Sequence, residues 1–181
     1  MAAIPSNMMP LGTKAPDFEL LNPATGKTMS LNTLKSDVAT VIMFICNHCP
    51  YVKHVKPELI RLASDYQSKN INFIAINSND VANYPDDSPE KMQQENYPFP
   101  YLFDDMQTVA KAYQAACTPD FYIFDSNLKC TYRGQLDDAR PHNETPVNGK
   151  DIRTALDAII AGQQVNPNQI PSIGCSIKWK T

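Results

Sequence analysis

Cys46, Asn47, His48, Cys49, Pro50 and Tyr51 are the residues of this chain whose types and spacing could do chemistry. Two thiols separated by a pair of residues can share a disulfide once the chain turns between them. A proline directly after the second thiol marks the first position of a helix, where its missing amide costs nothing. If Cys46 capped that helix, Pro50 would fall inside it, where ring clash and a lost hydrogen bond cost ~3 kcal/mol. Cys49 is therefore the expected cap. Its sulfur then lies over the unpaired amides of the first turn, which favour a thiolate. Such a position lowers a thiol from about 8.5 to between about 3.5 and 7.5. Cys49 is the predicted nucleophile and Cys46, in the loop before it, the predicted resolving thiol. Lys53, Lys56, His48 and His54 are expected to add to the effect where they face the sulfur.

The elements that must position these thiols can be read from hydrophobic spacing. Val38 to Ile45 is a near-continuous apolar run, as a central strand buried on both faces requires. Beyond Pro50, Val52, Val55, Leu59, Leu62 and Tyr66 recur at three and four residues and predict an amphipathic helix to about Ser68, loosened at Pro57. Ile71 to Asn77 is the next strand, so the crossover makes the two strands parallel. Upstream, residues 1–16 read as an arm over the surface, and Asp17–Leu21 pairs with Thr28–Leu31 in a hairpin. Downstream, Ser88 and Pro89 open a short helix to about Glu95, Tyr101–Phe103 is a strand, and Met106, Val109, Ala110 and Tyr113 mark a helix ending near Ala116. Phe121–Phe124 and Cys130–Arg133 form a hairpin, and Asp151–Ala161 is the last helix. The tail, residues 163–181, has too few apolar residues for an element of its own. With no repeat and no linker, residues 1–181 read as one α/β domain with a central mixed sheet flanked by helices.

At 181 residues and a net charge of −3, the chain can bury a full core and gives no reason to expect nucleic acid or an anionic membrane as partner. No apolar run approaches the roughly 18 residues of a membrane span. Residues 1–10 lack the charged and apolar regions of a secretory signal, so a cytoplasmic location is expected. Five unevenly spaced cysteines do not make a disulfide framework, which leaves catalysis or metal binding. No glycine-rich phosphate loop is present, and no organic cofactor is expected. A lone Cys-x-x-Cys with one histidine is a poor metal signature, so the site is read as metal-free.

Three segments carry a family resemblance. They are Leu11 to Phe18 (Leu-Gly-Thr-Lys-Ala-Pro-Asp-Phe), Phe44 to Val52 (Phe-Ile-Cys-Asn-His-Cys-Pro-Tyr-Val) and Thr118 to Asp125 (Thr-Pro-Asp-Phe-Tyr-Ile-Phe-Asp). Together they resemble the thioredoxin-fold superfamily, in its peroxiredoxin-like branch of the alkyl hydroperoxide reductase/thiol-specific antioxidant group, over nearly the whole chain. The resemblance implies a single thioredoxin-like fold with an N-terminal β-hairpin extension and a C-terminal tail. It implies a cis Pro119 facing the sulfurs and a backbone docking point at Thr118; His48, in the loop between the thiols, is taken with them as a substrate-binding candidate. It implies a thiol, disulfide or hydroperoxide substrate, protein or small molecule, and a thioredoxin- or glutathione-type reductant. The chain departs from both parent patterns: Val52 stands where thioredoxins have their second cysteine, while Cys46 and Ile42 replace the Thr and Pro of peroxiredoxins. No arginine follows Pro119 until Arg133. Disulfide exchange fits these residues better than fast peroxide reduction. Cys117 is either a third thiol of the site or a buried small residue, and Cys130 is packing. Cys175 is either a C-terminal resolving thiol in a mobile tail or part of a tail anchored by Ile177 and Trp179. Two other readings stay open: copper or zinc held by Cys46, Cys49 and His48 or His54, and a binding module without turnover.

Overall fold

The computed structural model describes residues 3–181; Met1 and Ala2 of the expected arm lie outside the described residues. The chain runs β1 (Ala3–Pro5), β2 (Glu19–Asn22), β3 (Lys27–Ser30), α1 (Leu31–Leu34), β4 (Ala39–Phe44), α2 (Pro50–Gln67) and β5 (Ile71–Asn77). A single 3-10 turn at Pro85–Asp87 follows, then α3 (Pro89–Met92), β6 (Tyr101–Phe103), α4 (Thr108–Ala112), β7 (Cys117–Thr118), β8 (Asp120–Asp125), β9 (Cys130–Gly134), α5 (Lys150–Ile160) and β10 (Ile173–Ser176). Seven strands form a mixed sheet in the order β3-β2-β6-β5-β4-β8-β9. β4 and β5 pair in parallel from Ala39 opposite Ile71 to Phe44 opposite Ile76, as the crossover through α2 requires. The expected hairpin of β2 and β3 extends this sheet through β6.

The apolar run of β4 is buried throughout, and its alternation splits the core in two. Val41, Met43 and Ile45 face α2 and α5, in a cluster with Leu59, Leu62, Ile152 and Leu156. Ile42 and Phe44 face the opposite side, with Leu31, Val109, Tyr113, Tyr122 and Phe124. Helix α2 runs through Pro57 without a break. Pro57 and Lys53 are both exposed, so the carbonyl that the proline leaves unpaired is open to water. The helix expected to end near Ala116 is shorter, because Gln107 (φ 59°) and Gln114 (φ 57°) adopt left-handed backbone on either side of it.

The tail is not without structure. β10 lies between β1 and β7 in a second, three-stranded antiparallel sheet. The Ser6 amide donates to the Ser172 carbonyl (2.9 Å), the Ile177 amide to Ala116 (3.0 Å), and the Lys178 amide to Asn79 Oδ1 (2.8 Å). Ile177 is buried in the second core cluster. The expectation of a mobile tail fails because backbone hydrogen bonds and a single isoleucine hold it, and neither registers as hydrophobic periodicity. Gly174 is the tightest point, since a Cβ built there would stand 2.0 Å from the Thr118 carbonyl oxygen. Gly174→Ala is expected to cost about 1–3 kcal/mol through overpacking. A lower urea midpoint and faster proteolysis of the tail would report it; an unchanged midpoint would mean that β10 is not held tightly there.

Candidate active site

Cys49 caps helix α2, with Pro50 at its first position. The residue is 0% exposed, and its Sγ lies 3.2 Å from the Thr118 carbonyl oxygen. Cys46 follows the end of β4 and is 1% exposed; its sulfur lies 3.5 Å from Thr118 Oγ1 and 3.8 Å from His48 Nδ1. The Thr118–Pro119 peptide is cis. Thr118 thus touches one sulfur through its carbonyl and the other through its hydroxyl.

The two thiols are pushed in opposite directions. A hydrogen bond from Cys46 is the largest influence on Cys49 and lowers it; burial opposes this, and contacts from Cys175, Thr118 and the Val52 amide lower it further, to about 4. The sulfur makes no regular cap bond to the helix, so the first-turn amides act here as a supplement. Cys46 is raised well above an ordinary thiol, first by its hydrogen bond to Cys49, then by burial and by the nearby Asp87 carboxylate. The pair therefore divides into a thiolate at Cys49 and a protonated donor at Cys46.

The expected help from nearby cations is absent. Lys53 is exposed, and Lys56 pairs with Glu95 at 2.5 Å and lies over the Tyr97 ring. His54 lies in a small recess with Tyr51, Pro119 and Arg140, its Nε2 without a partner. His48 turns toward Cys46 and not Cys49, stacks on Tyr84 at 5.3 Å, and donates from Nδ1 to Asp87 Oδ2 at 2.5 Å.

Asp87 is the residue that the sequence did not point to. It is fully buried, and its Oδ1 accepts the amides of Asn47 (2.7 Å) and His48 (3.1 Å), the two residues between the cysteines. Its Oδ2 also takes the Asn79 side chain at 2.8 Å. Burial would raise this carboxyl, but the hydrogen bonds from His48 and Asn79 hold it below the usual carboxylate range. Asn79 in turn holds the tail through Lys178, so one hydrogen-bond network joins the Cys46–Cys49 loop to the segment after β10.

The AhpC/TSA family model matches residues 11–133. The chain belongs to the AhpC/TSA family. An uncharacterized conserved protein from Geobacillus kaustophilus is 62% identical, with a TM-score of 0.97 over 99% of this chain and 97% of that one. A hypothetical protein from Sinorhizobium meliloti is 44% identical, with a TM-score of 0.95 over 98% of each chain. A putative thiol:disulfide interchange protein from Chlorobium tepidum shares the fold at 20% identity, with a TM-score of 0.67 over 84% of this chain and 99% of that one. No curated protein matches the chain. Family membership and the buried thiols support a thiol oxidoreductase in the general sense. The fold is thioredoxin-like, with the mixed sheet and flanking helices of its structural relatives. Among the described residues no helix is long and apolar enough to cross a membrane.

Within this AhpC/TSA chain the remaining candidates separate. Cys117 donates to the Pro119 carbonyl at 3.6 Å and is pushed above the ordinary thiol range, mainly by burial and then by Asp120. Cys130 is buried, donates to the Tyr132 carbonyl at 3.4 Å, and is pushed up to about 11 by burial. Arg133 is committed to the Met9 carbonyl (2.7 Å) and Gln169 (2.7 Å). The groups that act on the Cys49 sulfur are Cys46, Cys175, Thr118 and the Val52 amide, and none is an arginine that could hold a peroxide. Cys175 sits in β10 directly opposite Thr118 and is 3% exposed.

Proposed function

We propose that the chain catalyses thiol–disulfide exchange, with Cys49 as nucleophile and Cys46 as resolving thiol. The observation that carries this is the placing of Cys49 at the cap of helix α2, with Cys46 three residues before it and Thr118 of the cis-proline loop in contact with both sulfurs. The Cys49 thiolate attacks one sulfur of a substrate disulfide, forms a mixed disulfide, and expels the other sulfur as a thiolate. Cys46 then gives up its proton and attacks Cys49, which releases the second substrate thiol and leaves a Cys46–Cys49 disulfide. An external thiol of the thioredoxin or glutathione type returns the pair to the reduced state. Thr118 and Pro119 lie where an extended substrate would pass the sulfurs, with His48 at the edge. Hydroperoxides are slow substrates on this reading, because no arginine is placed to polarise the peroxide bond at Cys49. We take the chain to act as a single domain over residues 1–181, in the cytoplasm.

Mass spectrometry after mild oxidation should find Cys46 linked to Cys49. Thiolate absorbance, compared with that of Cys49→Ser, should show a group ionised at neutral pH whose loss occurs near pH 4. An ordinary thiol titration for Cys49 would favour a binding module without turnover.

A metal site has one observation in its favour: ligand atoms of Cys46, His48 and Asp87 lie within 4.8 Å of one another. Against it, both Asp87 oxygens are already engaged by Asn47, His48 and Asn79, and Cys49 and His54 are not in the cluster. Stoichiometric zinc or copper in protein purified under reducing conditions would favour the metal reading over exchange.

A further inference from the structure

A catalytic thiolate has to meet its substrate, yet Cys49 is 0% exposed. The strand β10 packs against α2 and pairs antiparallel with β7, so that Cys175 lies opposite Thr118 and Ser176 opposite Cys117. Thr118 is also the residue whose carbonyl oxygen lies 3.2 Å from Cys49 Sγ. Gly174 comes so close to that carbonyl that no side chain would fit between them. The Ser172 hydroxyl donates to the Pro119 carbonyl at 2.6 Å, which closes the same loop from the other side. The segment Ser172–Ser176 therefore lies along the cis-proline loop as an extended strand, and it carries a cysteine at the position next to the nucleophile. Cys175 and Cys49 are buried in the same core cluster, and each lies against Thr118.

We propose that β10 is a built-in occupant of the substrate groove and that Cys175 is a third redox thiol, exchanging with Cys46 for Cys49. The proposal rests on the reading of Cys49 as nucleophile. Starting from the Cys46–Cys49 disulfide, the Cys175 thiolate attacks Cys49 Sγ. The Cys49–Cys175 bond forms, the Cys46–Cys49 bond breaks, and Cys46 leaves as a thiolate that takes up the proton Cys175 lost. No outside oxidant enters this step, because the disulfide is only moved. Starting from a mixed disulfide at Cys49, the same attack releases the bound thiol. With Cys49 joined to Cys175 the tail is stapled over the site. With Cys49 joined to Cys46 the strand is held by hydrogen bonds alone, and a substrate strand can replace it opposite Thr118. Burial, followed by the hydrogen bond to Cys49 and its charge, pushes Cys175 up to about 12, so it serves as a proton donor to Cys49 in the reduced protein.

The test uses the full chain with Cys46→Ser, equilibrated with oxidised glutathione, blocked by alkylation in denaturant and digested with trypsin. Residues 36–53 and 154–178 then fall on separate peptides, with Cys49 on the first and Cys175 on the second. The expected result is a covalent link between them, with glutathione released and little of it left on Cys49. In the wild-type protein the same link should appear alongside an internal Cys46–Cys49 disulfide in the first peptide, which keeps the test available if the variant folds poorly. Cys49 found as a glutathione adduct with Cys175 still open to alkylation would overturn the proposal and leave Cys49 as nucleophile. Cys49 that never oxidises in either protein would overturn both readings.

Discussion

Replacing Cys49 by serine is expected to reduce disulfide exchange to the uncatalysed background, whereas Cys46→Ser should still complete the first half of the reaction, the attack of Cys49 on the substrate disulfide. A serine hydroxyl is not ionised near neutral pH and cannot take part in sulfur-to-sulfur transfer. Reductase activity retained in Cys49→Ser would sink the assignment. The same ionisation sets a pH dependence. An unfolded thiol titrates near about 8.5, and Cys49 in the folded, reduced protein is held down to about 4. Its contribution to the stability of the reduced form is complete above about 8.5 and is lost as pH falls through its folded value. At pH 7 that contribution is about 4 kcal/mol. The disulfide form has none of it, and closing so short a loop returns only about 2 kcal/mol. Near neutrality the reduced protein should therefore need more urea to unfold than the oxidised one, with the gap closing toward acid pH. A gap that widened on acidification would show that Cys49 is not the ionised thiol. A thiolate this stable attacks more slowly than one matched to ambient pH, but it is a better leaving group. The couple should therefore be an oxidising one.

How much of this could be read from residues alone depended on whether the cause was local. The register at the thiols was legible because Pro50 has only one inexpensive place in a helix, and the helix starts there. The β4 run and the stripe on α2 were legible because burial on two faces and on one face leave different periods. The tail was not. Ile173-Gly174-Cys175-Ser176 has no useful alternation, and its strand depends on hydrogen-bonding partners far away in the chain at Ala3–Pro5 and Cys117–Thr118. The lysines near Cys49 misled for a related reason. Closeness in sequence suggested an electrostatic role, while Glu95 draws Lys56 away from the sulfur. Asp87 sits in a polar, proline-punctuated stretch, and nothing in that stretch points to the loop forty residues earlier that it holds.

Asp87→Ala should be the most destabilising single change near the site. The carboxylate is the common acceptor for two backbone amides, one imidazole and one side-chain amide, all at a position closed to solvent. Each buried donor left without a partner costs about 1–3 kcal/mol, though water entering the small cavity would relieve some of them. A total of about 3–5 kcal/mol is the reasonable scale, as for a broken buried ion pair. Asp87→Asn keeps the shape and one acceptor oxygen, and should fall between alanine and wild type. Because the carboxyl is held below its usual range, its contribution is present above about 3.9 and is lost as pH falls through its folded value. The wild type should therefore lose stability in acid more steeply than Asp87→Ala. The consequence for chemistry follows from the same bonds. Asn47 and His48 form the link between the two sulfurs, so freeing their amides loosens the spacing that lets Cys46 donate to Cys49. Slower formation of the Cys46–Cys49 disulfide and a rise in the Cys49 titration point are expected together. If the urea midpoint of Asp87→Ala stayed within about 1 kcal/mol of wild type, the loop would have to be held by the strand end and the helix cap alone. The Asp87 network would then have no part in positioning the thiols.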